Sequence, residues 1–428
     1  MQQYNNPSKN KWAILSKRPL IEIDKLDGSV QEIFSKVKSE GDQALRFYAN
    51  KFDDSQLKSL LVSNEEIKQA IKNTPKELKK SIKSAKNNIE KFHKNQFKRE
   101  KIIETMPGVK CWRESRPIEK VGFYIPGGSA PLFSTLLMLG IPALIAGCKE
   151  IIICTPTKKN KIDDSILFTA SLLGINKIYK VGGAQAIAAM VYGTQSISAA
   201  LKIFGPGNQY VTSAKKLAQN MGIAIDMLAG PSEVLVIADN TANPSYVASD
   251  LIAQAEHGPD SQVVLLTTQK ELIKDVFNEI QKQISLLPRK EIIEAALKKS
   301  MIIVFNDIET CFEFSNTYAP EHLLIQTATP QKYSSLIINA GSVFYGAYSC
   351  ESIGDYASGT NHTLPTNGFA KAYSGVSVDS FIKKITFQQI SKQGLLNIGP
   401  IVQTMAAAEG LAAHKNAITV RLNKIKNK

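Results

Sequence analysis

The chain has 428 residues, of which 43% are hydrophobic and 21% charged, an ordinary globular composition that excludes general disorder, collagen-like repeats and low-complexity structure. That length argues for two or three domains, each able to bury its own core without disulfide or structural-metal staples. Fifty-two basic residues against 38 acidic ones leave a net charge of +14. The basic side chains are dispersed and mostly lysine, with no Arg-rich run, RNA-binding aromatic motif or zinc-finger spacing, so a solvated surface is favoured over nucleic-acid or anionic-lipid contact.

In chain order, the N-terminal MQQYNNPSKNKW is polar and lacks the apolar stretch of a secretory leader. Residues 71–101 read as one basic amphipathic helix with Leu78, Ile82, Ala85, Ile89 and Phe92 on one face. A solvated outer face is the commoner outcome for such a helix than a polyanion site, and His93 within it reads as a surface residue. Residues 121–148 carry no charge and are long enough to span a bilayer, but Pro126, Gly127, Gly128, Pro131, Gly140 and Pro142 interrupt them. A strand, a glycine turn and a buried helix explain the stretch better, with no membrane span.

From about residue 119, short apolar runs recur: KVGFYI, EIIICT, KIYKVG, LKIFG, AIDML, EVLVIAD, QVVLLTT, MIIVFN, HLLIQ and GSVFYG. Helical stretches at 132–146, 184–193, 208–219, 244–256, 270–286 and 330–338 separate many of them. Continuous apolar strands alternating with helices mean largely parallel sheet covered on both faces, in two α/β units. From Ser377 onward helical text dominates, and Leu411, His414, Ile418, Leu422 and Ile425 share one stripe. The five cysteines, Cys111, Cys148, Cys154, Cys311 and Cys350, are odd in number, widely spaced and without C-x-x-C. This argues against a disulfide framework and a thiolate zinc site, and for a reducing compartment.

Three strands end in glycine turns, YIPGGSAP, VGGAQAIA and FGPGNQYV. Backbone N–H groups at such helix starts suit phosphate, but none completes G-x-G-x-x-G, and Tyr210 stands where the third glycine would fall. On the motif alone, tight turns and a nucleotide site rate about evenly. The histidines are sharper. His257 follows Gln254 by three residues at a helix end, a spacing that lets an amide oxygen and an imidazole nitrogen reach one ion. His322 follows Glu321 where a loop enters a strand; His362 lies in GDYASGTNHTLP, seven residues after Asp355; His414 lies in the C-terminal helix. Singly, each is better explained as packing or loop capping. Together they are the kind of loops in which α/β enzymes keep their chemistry, and their nitrogen and oxygen donors suit zinc, with manganese or cobalt as substitutes. H-E-x-x-H is absent.

VGFYIPGGSAPL, VGGAQAIAAM, FGPGNQYV, DMLAGPSEV, AQAEHGPDSQ, APEHL, ESIGDYASGTNHTLPT and AEGLAAHKNAITVRL occur in one order across residues 20–425. In this the chain resembles the histidinol dehydrogenase family. The resemblance implies two Rossmann-like parallel-sheet domains, one of them discontinuous, with short helical terminal elements. It sets an N-terminal arm at 1–19, a first domain at 20–123 plus 232–376, a second at 124–231, and a dimer-crossing tail at 377–428. It implies a cytoplasmic homodimer that oxidises L-histidinol to L-histidine with two NAD, through an aldehyde, as the closing step of histidine biosynthesis. One zinc per subunit would be held by Gln254, His257, Asp355 and the partner subunit's His414, gripping the substrate rather than making a hydroxide. Glu321 would activate water and His322 would act as base in the hydride-transfer steps. Ser232, His362 and the partner subunit's Glu409 match substrate contacts, as do the metal ligands and His322. Tyr124, Gln185 and Asn208, one in each glycine turn, match NAD contacts. Cys350 and Asn367 depart from the common proline and tyrosine, which bears on loop geometry and not on the reaction. Cys111 and Cys148 lie near the first turn, but hydration by Glu321 needs no thiol, so packing is the preferred role. The rivals are a metal-dependent hydrolase using the same His/Asp/Gln cluster without NAD, and a non-enzymatic polyanion binder using the basic helix.

Overall fold

The computed structural model describes residues 1–18, 26–127, 131–227 and 230–427. Its strands in chain order are β1 (Gln2–Asn5), β2 (Ile103–Met106), β3 (Val109–Pro117), β4 (Lys120–Tyr124), β5 (Glu150–Thr155), β6 (Lys177–Lys180) and β7 (Lys202–Phe204). They continue as β8 (Ala224–Ile225), β9 (Glu233–Ala238), β10 (Gln262–Thr267), β11 (Met301–Val304), β12 (His322–Gln326), β13 (Ser342–Tyr345) and β14 (Ile382–Ile390). Two wholly parallel sheets form, ordered β6-β5-β4-β7-β8 and β1-β11-β10-β9-β12-β13. Counted from β4 and from β9, each sheet has the order 3-2-1-4-5 of a Rossmann half, so the two units share a topology.

The strand period of two explains the core. In β9 and β10 every position is buried. Val234 and Val236 enter one apolar cluster, while Leu235 and Ile237 enter another on the opposite face. The five-stranded sheet divides in the same way, Val121 and Phe123 to one side and Tyr124 and Ile152 to the other. Each fully buried Val, Ile or Leu contributes about 1.5–3 kcal/mol, which is why uninterrupted apolar runs form central parallel strands. The charge-free stretch contains the buried helix Phe133–Ala146, and no described helix is long and apolar enough to cross a membrane.

Several expectations need correction. Among the described residues, 26–123 pack chiefly on the five-stranded sheet and meet 232–376 only at its margin, where Asn88 Nδ2 donates to Ala357 O at 2.9 Å. Helices Asp27–Glu40 and Asp42–Asp53 bury Phe34, Leu45 and Tyr48 against Ile152 of the five-stranded sheet, and Lys76–Lys94 buries Ile82 and Ile89 beside Phe123. β4 is the central strand of that same sheet. The N-terminal arm is not a separate element: β1 joins the edge of the six-stranded sheet beside β11, which makes that unit the discontinuous one. The helix expected over 71–101 is two, Asn64–Asn73 and Lys76–Lys94, divided at Thr74-Pro75 because proline cannot continue the preceding helix. Phe92 is 46% exposed, and His93 takes its place on the inner face. His93 is therefore no surface residue; its Nδ1 meets Gln96 Oε1 at 2.8 Å and burial lowers its pKa.

The tail from 377 opens with one 3-10 turn, Val378–Phe381, and then a strand rather than a long helix. β14 pairs antiparallel with β3, which also carries β2, and the helices Lys392–Ala408 and Ala412–Lys426 follow as a hairpin. Gly399 lets those helices approach: a Cβ there would sit 3.0 Å from Leu422 Cδ1 and 3.2 Å from Ile418 Cγ2. His414, one turn earlier on the same stripe, is exposed rather than packed.

Candidate active site

The carboxyl ends of β7 and β8 face the amino ends of β9 and β12 across a cavity lined by Gly205, Asp226, Ser232, Glu321, His362 and Thr366. The usual rule for open α/β sheets puts ligands at carboxyl ends only. Here the glycine turns obey it, while Glu321 and His322 stand at the amino end of β12, where helix Ile308–Tyr318 stops at left-handed Ala319 and Pro320 turns the chain into the strand.

The Glu321–His322 pair is buried. Glu321 Oε2 accepts from Glu233 N at 2.9 Å and from Gln254 Nε2 at 3.2 Å. Burial pushes Glu321 up to about 8, more than His322 and the Glu233 N–H draw it down. His322 Nε2 lies 3.2 Å from Asp355 Oδ1, and Nδ1 lies 3.3 Å from Glu233 O and 3.7 Å from Glu321 Oε2. Burial alone would lower the His322 pKa; Glu321, the bond to Asp355 and the Glu351 carboxylate outweigh it and raise it to about 10. The same bond holds Asp355 below the usual carboxylate range although burial opposes it.

Donor atoms of His257, Glu351 and Asp355 lie within 4.8 Å of one another. Beside them Gln254 Oε1 and Glu351 Oε2 are buried without a hydrogen-bond partner. An orphaned amide oxygen and carboxylate next to an imidazole are what a divalent cation would satisfy, so these residues fit zinc. Helix Pro244–Ala255 ends before His257, so Gln254 and His257 meet through the turn that leaves the helix, with His257 N donating to Gln254 O at 3.3 Å, and not on a continuous helical face. His362 Nδ1 donates to Asp355 O at 2.8 Å, which leaves Nε2 to accept from Thr135 Oγ1 at 3.1 Å. His414 and Glu409 lie exposed on the C-terminal hairpin and are not in this cluster.

The residues of the glycine turns sit at carboxyl ends. Tyr124 OH accepts from Gly183 N at 3.2 Å, and Gln185 is buried in the first turn of Gly183–Tyr192. Asn208 caps Gln209–Asn220 through Tyr210 N and Val211 N. Gly205 is required: at φ +120° a Cβ would lie 2.0 Å from Tyr124 O. Asp226 Oδ2 accepts from Gly205 N at 2.8 Å, and Lys215, paired with Asp226, donates to Gly205 O at 3.0 Å, so a buried ion pair fixes the turn. In the first turn, residues 128–130 fall outside the described residues. Cys148 lies just before the amino end of β5, away from the cavity, and burial pushes its thiol up to about 11; Cys111 sits in β3.

Sequence reasoning misses Glu351 and Glu233. Each is a carboxylate at the head of a segment already singled out, EVLVIAD and ESIGDYASGTNHTLPT, without being noticed itself, and a charge opening a wholly buried strand is the signal that marks Glu233.

Two Rossmann-topology sheets meeting at a buried carboxylate–imidazole pair and a nitrogen/oxygen donor set define a two-unit α/β enzyme. Residues 16–422 match the model of the histidinol dehydrogenase family. The chain is 55% identical to histidinol dehydrogenase of Bacteroides fragilis over 98% of both chains, and 50% identical to that of Campylobacter jejuni over 99% of both. The crystal structure of histidinol dehydrogenase from Elizabethkingia anophelis superposes with a TM-score of 0.98 at 56% identity, covering 100% of this chain and 99% of that one. The chain therefore belongs to the histidinol dehydrogenase family of oxidoreductases.

Proposed function

We propose that this protein oxidises L-histidinol to L-histidine through L-histidinal, reducing two NAD, as a cytoplasmic, zinc-containing homodimer. The observation that carries the reading is the Glu321–His322 pair, hydrogen-bonded directly to Gln254 and Asp355 of the donor cluster and opening on the cavity that the Gly205 turn lines. When bound, NAD accepts the hydride in each oxidation, and zinc held by Gln254, His257, Asp355 and the partner subunit's His414 orients the amine and imidazole of the substrate.

The chain's own residues move the protons. His322 takes the hydroxyl proton as the C–H hydride leaves; it does so in its neutral form, which a cation on Asp355 would favour by taking up the carboxylate charge that faces Nε2. The aldehyde must then gain water, and Glu321 in its ionised form takes a proton from that water; a carboxyl that burial pushes up to about 8 is then a stronger base than an ordinary one. The hydrate is again an alcohol, so His322 serves the second oxidation by the same geometry. Ser232 and His362 line the cavity and contact the substrate, and the partner subunit's Glu409 takes a cationic amine or imidazole N–H. Tyr124, Gln185 and Asn208 hold NAD. Exposed apolar side chains on the C-terminal hairpin, Ile401, Met405, Leu411 and Val420, support its burial against a second copy.

The test is NADH absorbance from metal-loaded enzyme with limiting histidinol. About two NADH per histidinol are expected from the two hydride transfers. One per histidinol, with aldehyde accumulating, would reject the double oxidation, and none would reject the substrate.

A further inference from the structure

Behind the acid–base pair lies a buried ion pair to which the reaction so far assigns nothing. Arg18 and Glu233 have side chains only 6% and 0% exposed. Arg18 Nε donates to Glu233 Oε1 at 2.9 Å and a terminal guanidinium nitrogen donates to Oε2 at 2.8 Å, a two-pronged contact. The guanidinium is itself held in place: its carbon lies 3.5 Å from the centroid of the Tyr318 ring, and it donates to Ser16 O and Ala319 O. Tyr318 OH donates to Gln262 Oε1, and Gln262 N donates to Ser232 O, so the same network grips the residue preceding Glu233. Asn367 N donates to Glu233 Oε1 at 2.7 Å from the other side.

The Glu233 main chain is where this bracing reaches the chemistry. Its N–H holds Glu321 Oε2 at 2.9 Å and its carbonyl oxygen stands 3.3 Å from His322 Nδ1. That carbonyl takes up the Nδ1 end of the ring while Asp355 Oδ1 takes up the Nε2 end, so the Glu233 main chain helps set how the imidazole is turned. One peptide segment thus aims both members of the pair, and its position is fixed by a carboxylate that cannot rotate.

We infer that Arg18 and Glu233 are positioning residues for the acid–base pair: by clamping the Glu233 side chain, Arg18 holds the backbone groups that orient Glu321 and His322. This rests on the proposed reading of the site and deepens it. Burying a charge pair at the head of a wholly apolar strand is otherwise an unfavourable choice, since hydrophobic residues of similar volume pack there at no desolvation cost.

The experiment compares Arg18→Met, Arg18→Lys and Glu233→Gln in the full-length zinc-loaded enzyme, following kcat and KM for histidinol and histidinal, zinc content and melting temperature. A displacement of about 1 Å in catalytic groups costs up to about 100-fold. Arg18→Met and Glu233→Gln are therefore expected to lower kcat about 10- to 100-fold per zinc-loaded site, with KM for histidinol within about threefold and zinc bound in the wild-type ratio. Arg18→Lys, which keeps charge but gives up the fork, should recover part of the loss. A bystander pair would instead leave kcat per zinc-loaded site within about twofold of wild type while melting temperature or zinc content falls, and that overturns the inference. If Arg18→Met does not fold, Glu233→Gln, which preserves shape and removes only the charge, decides the matter. Glu321→Gln and His322→Gln run as controls. If they too retain turnover, the acid–base reading itself fails; if they are inactive while the Arg18 and Glu233 variants are not, only the clamp is wrong.

Discussion

His322 is flanked by acceptors on both ring nitrogens, Glu233 O and Asp355 Oδ1, and Glu321 sits against it in the same buried space. The adjacent residues are therefore separable by what each touches. His322→Gln is expected to retain zinc, because its ring lies outside the proposed ligand set, yet to cut both oxidations about 100- to 10,000-fold. Glu321→Gln should slow histidinal oxidation far more than histidinol oxidation. Single-turnover NADH traces on each substrate check this; equal losses in both half-reactions would contradict the division of labour. Asp250, one helical turn before Gln254, offers a stability test. It is buried, accepts from Gln326 Nε2 at 3.2 Å, and burial pushes its carboxyl up to about 7. An unfolded Asp titrates near pH ~4, so its contribution is full below that pH and is lost as pH rises through about 7. Asp250→Asn should gain stability relative to wild type between pH ~5 and ~8 by roughly 2 kcal/mol. Calorimetry at the two pH values reads it, and a pH-independent difference would contradict it.

The Gly205 turn shows how an element constrains its residues. Gly205→Ala places a methyl against Tyr124 O and forces a positive φ on a side chain, so a loss of about 2–4 kcal/mol is expected together with weaker NAD binding. Thermal melts and NADH titration check both, and unchanged values would mean that the turn adapts. The same scale explains what the sequence discloses. All ten apolar runs form strands, because β4–β13 lie mainly in sheet interiors where burial on both faces leaves a continuous signature. β3 and β14 are missed because both are largely solvent-facing and carry charges such as Arg113, Arg116, Lys383 and Lys384, so neither period nor hydropathy marks them. β1, QQYN, gains its strand geometry only from the β11 edge. In the site, His257, His322 and Asp355 are legible because a histidine or aspartate stands in a Gly- or Pro-marked polar segment, AEHGPD, APEH and GDYASGTNH; Glu351 acquires meaning only from what the fold sets beside it.

At the scale of the molecule, the two units meet with carboxyl ends on one side and amino ends on the other, which sets the Gly205 turn opposite Glu321 across one cavity. The C-terminal hairpin stands apart from that cavity in its own chain. It packs on itself and on the three-stranded sheet, exposing His414 and Glu409. If the proposed ligand set is right, each site is finished by the other copy. The direct measurement is mixed-dimer complementation of histidinal oxidation, refolding or co-expressing His414→Asn chains with Glu321→Gln chains, each alone expected to fail in that half-reaction. When the site is shared, a mixed dimer regains one intact site of two, so an equal mixture should recover about a quarter of wild-type activity. If both residues served the same site within one chain, no mixture would regain activity, and a mixture as inactive as its parents would contradict the account.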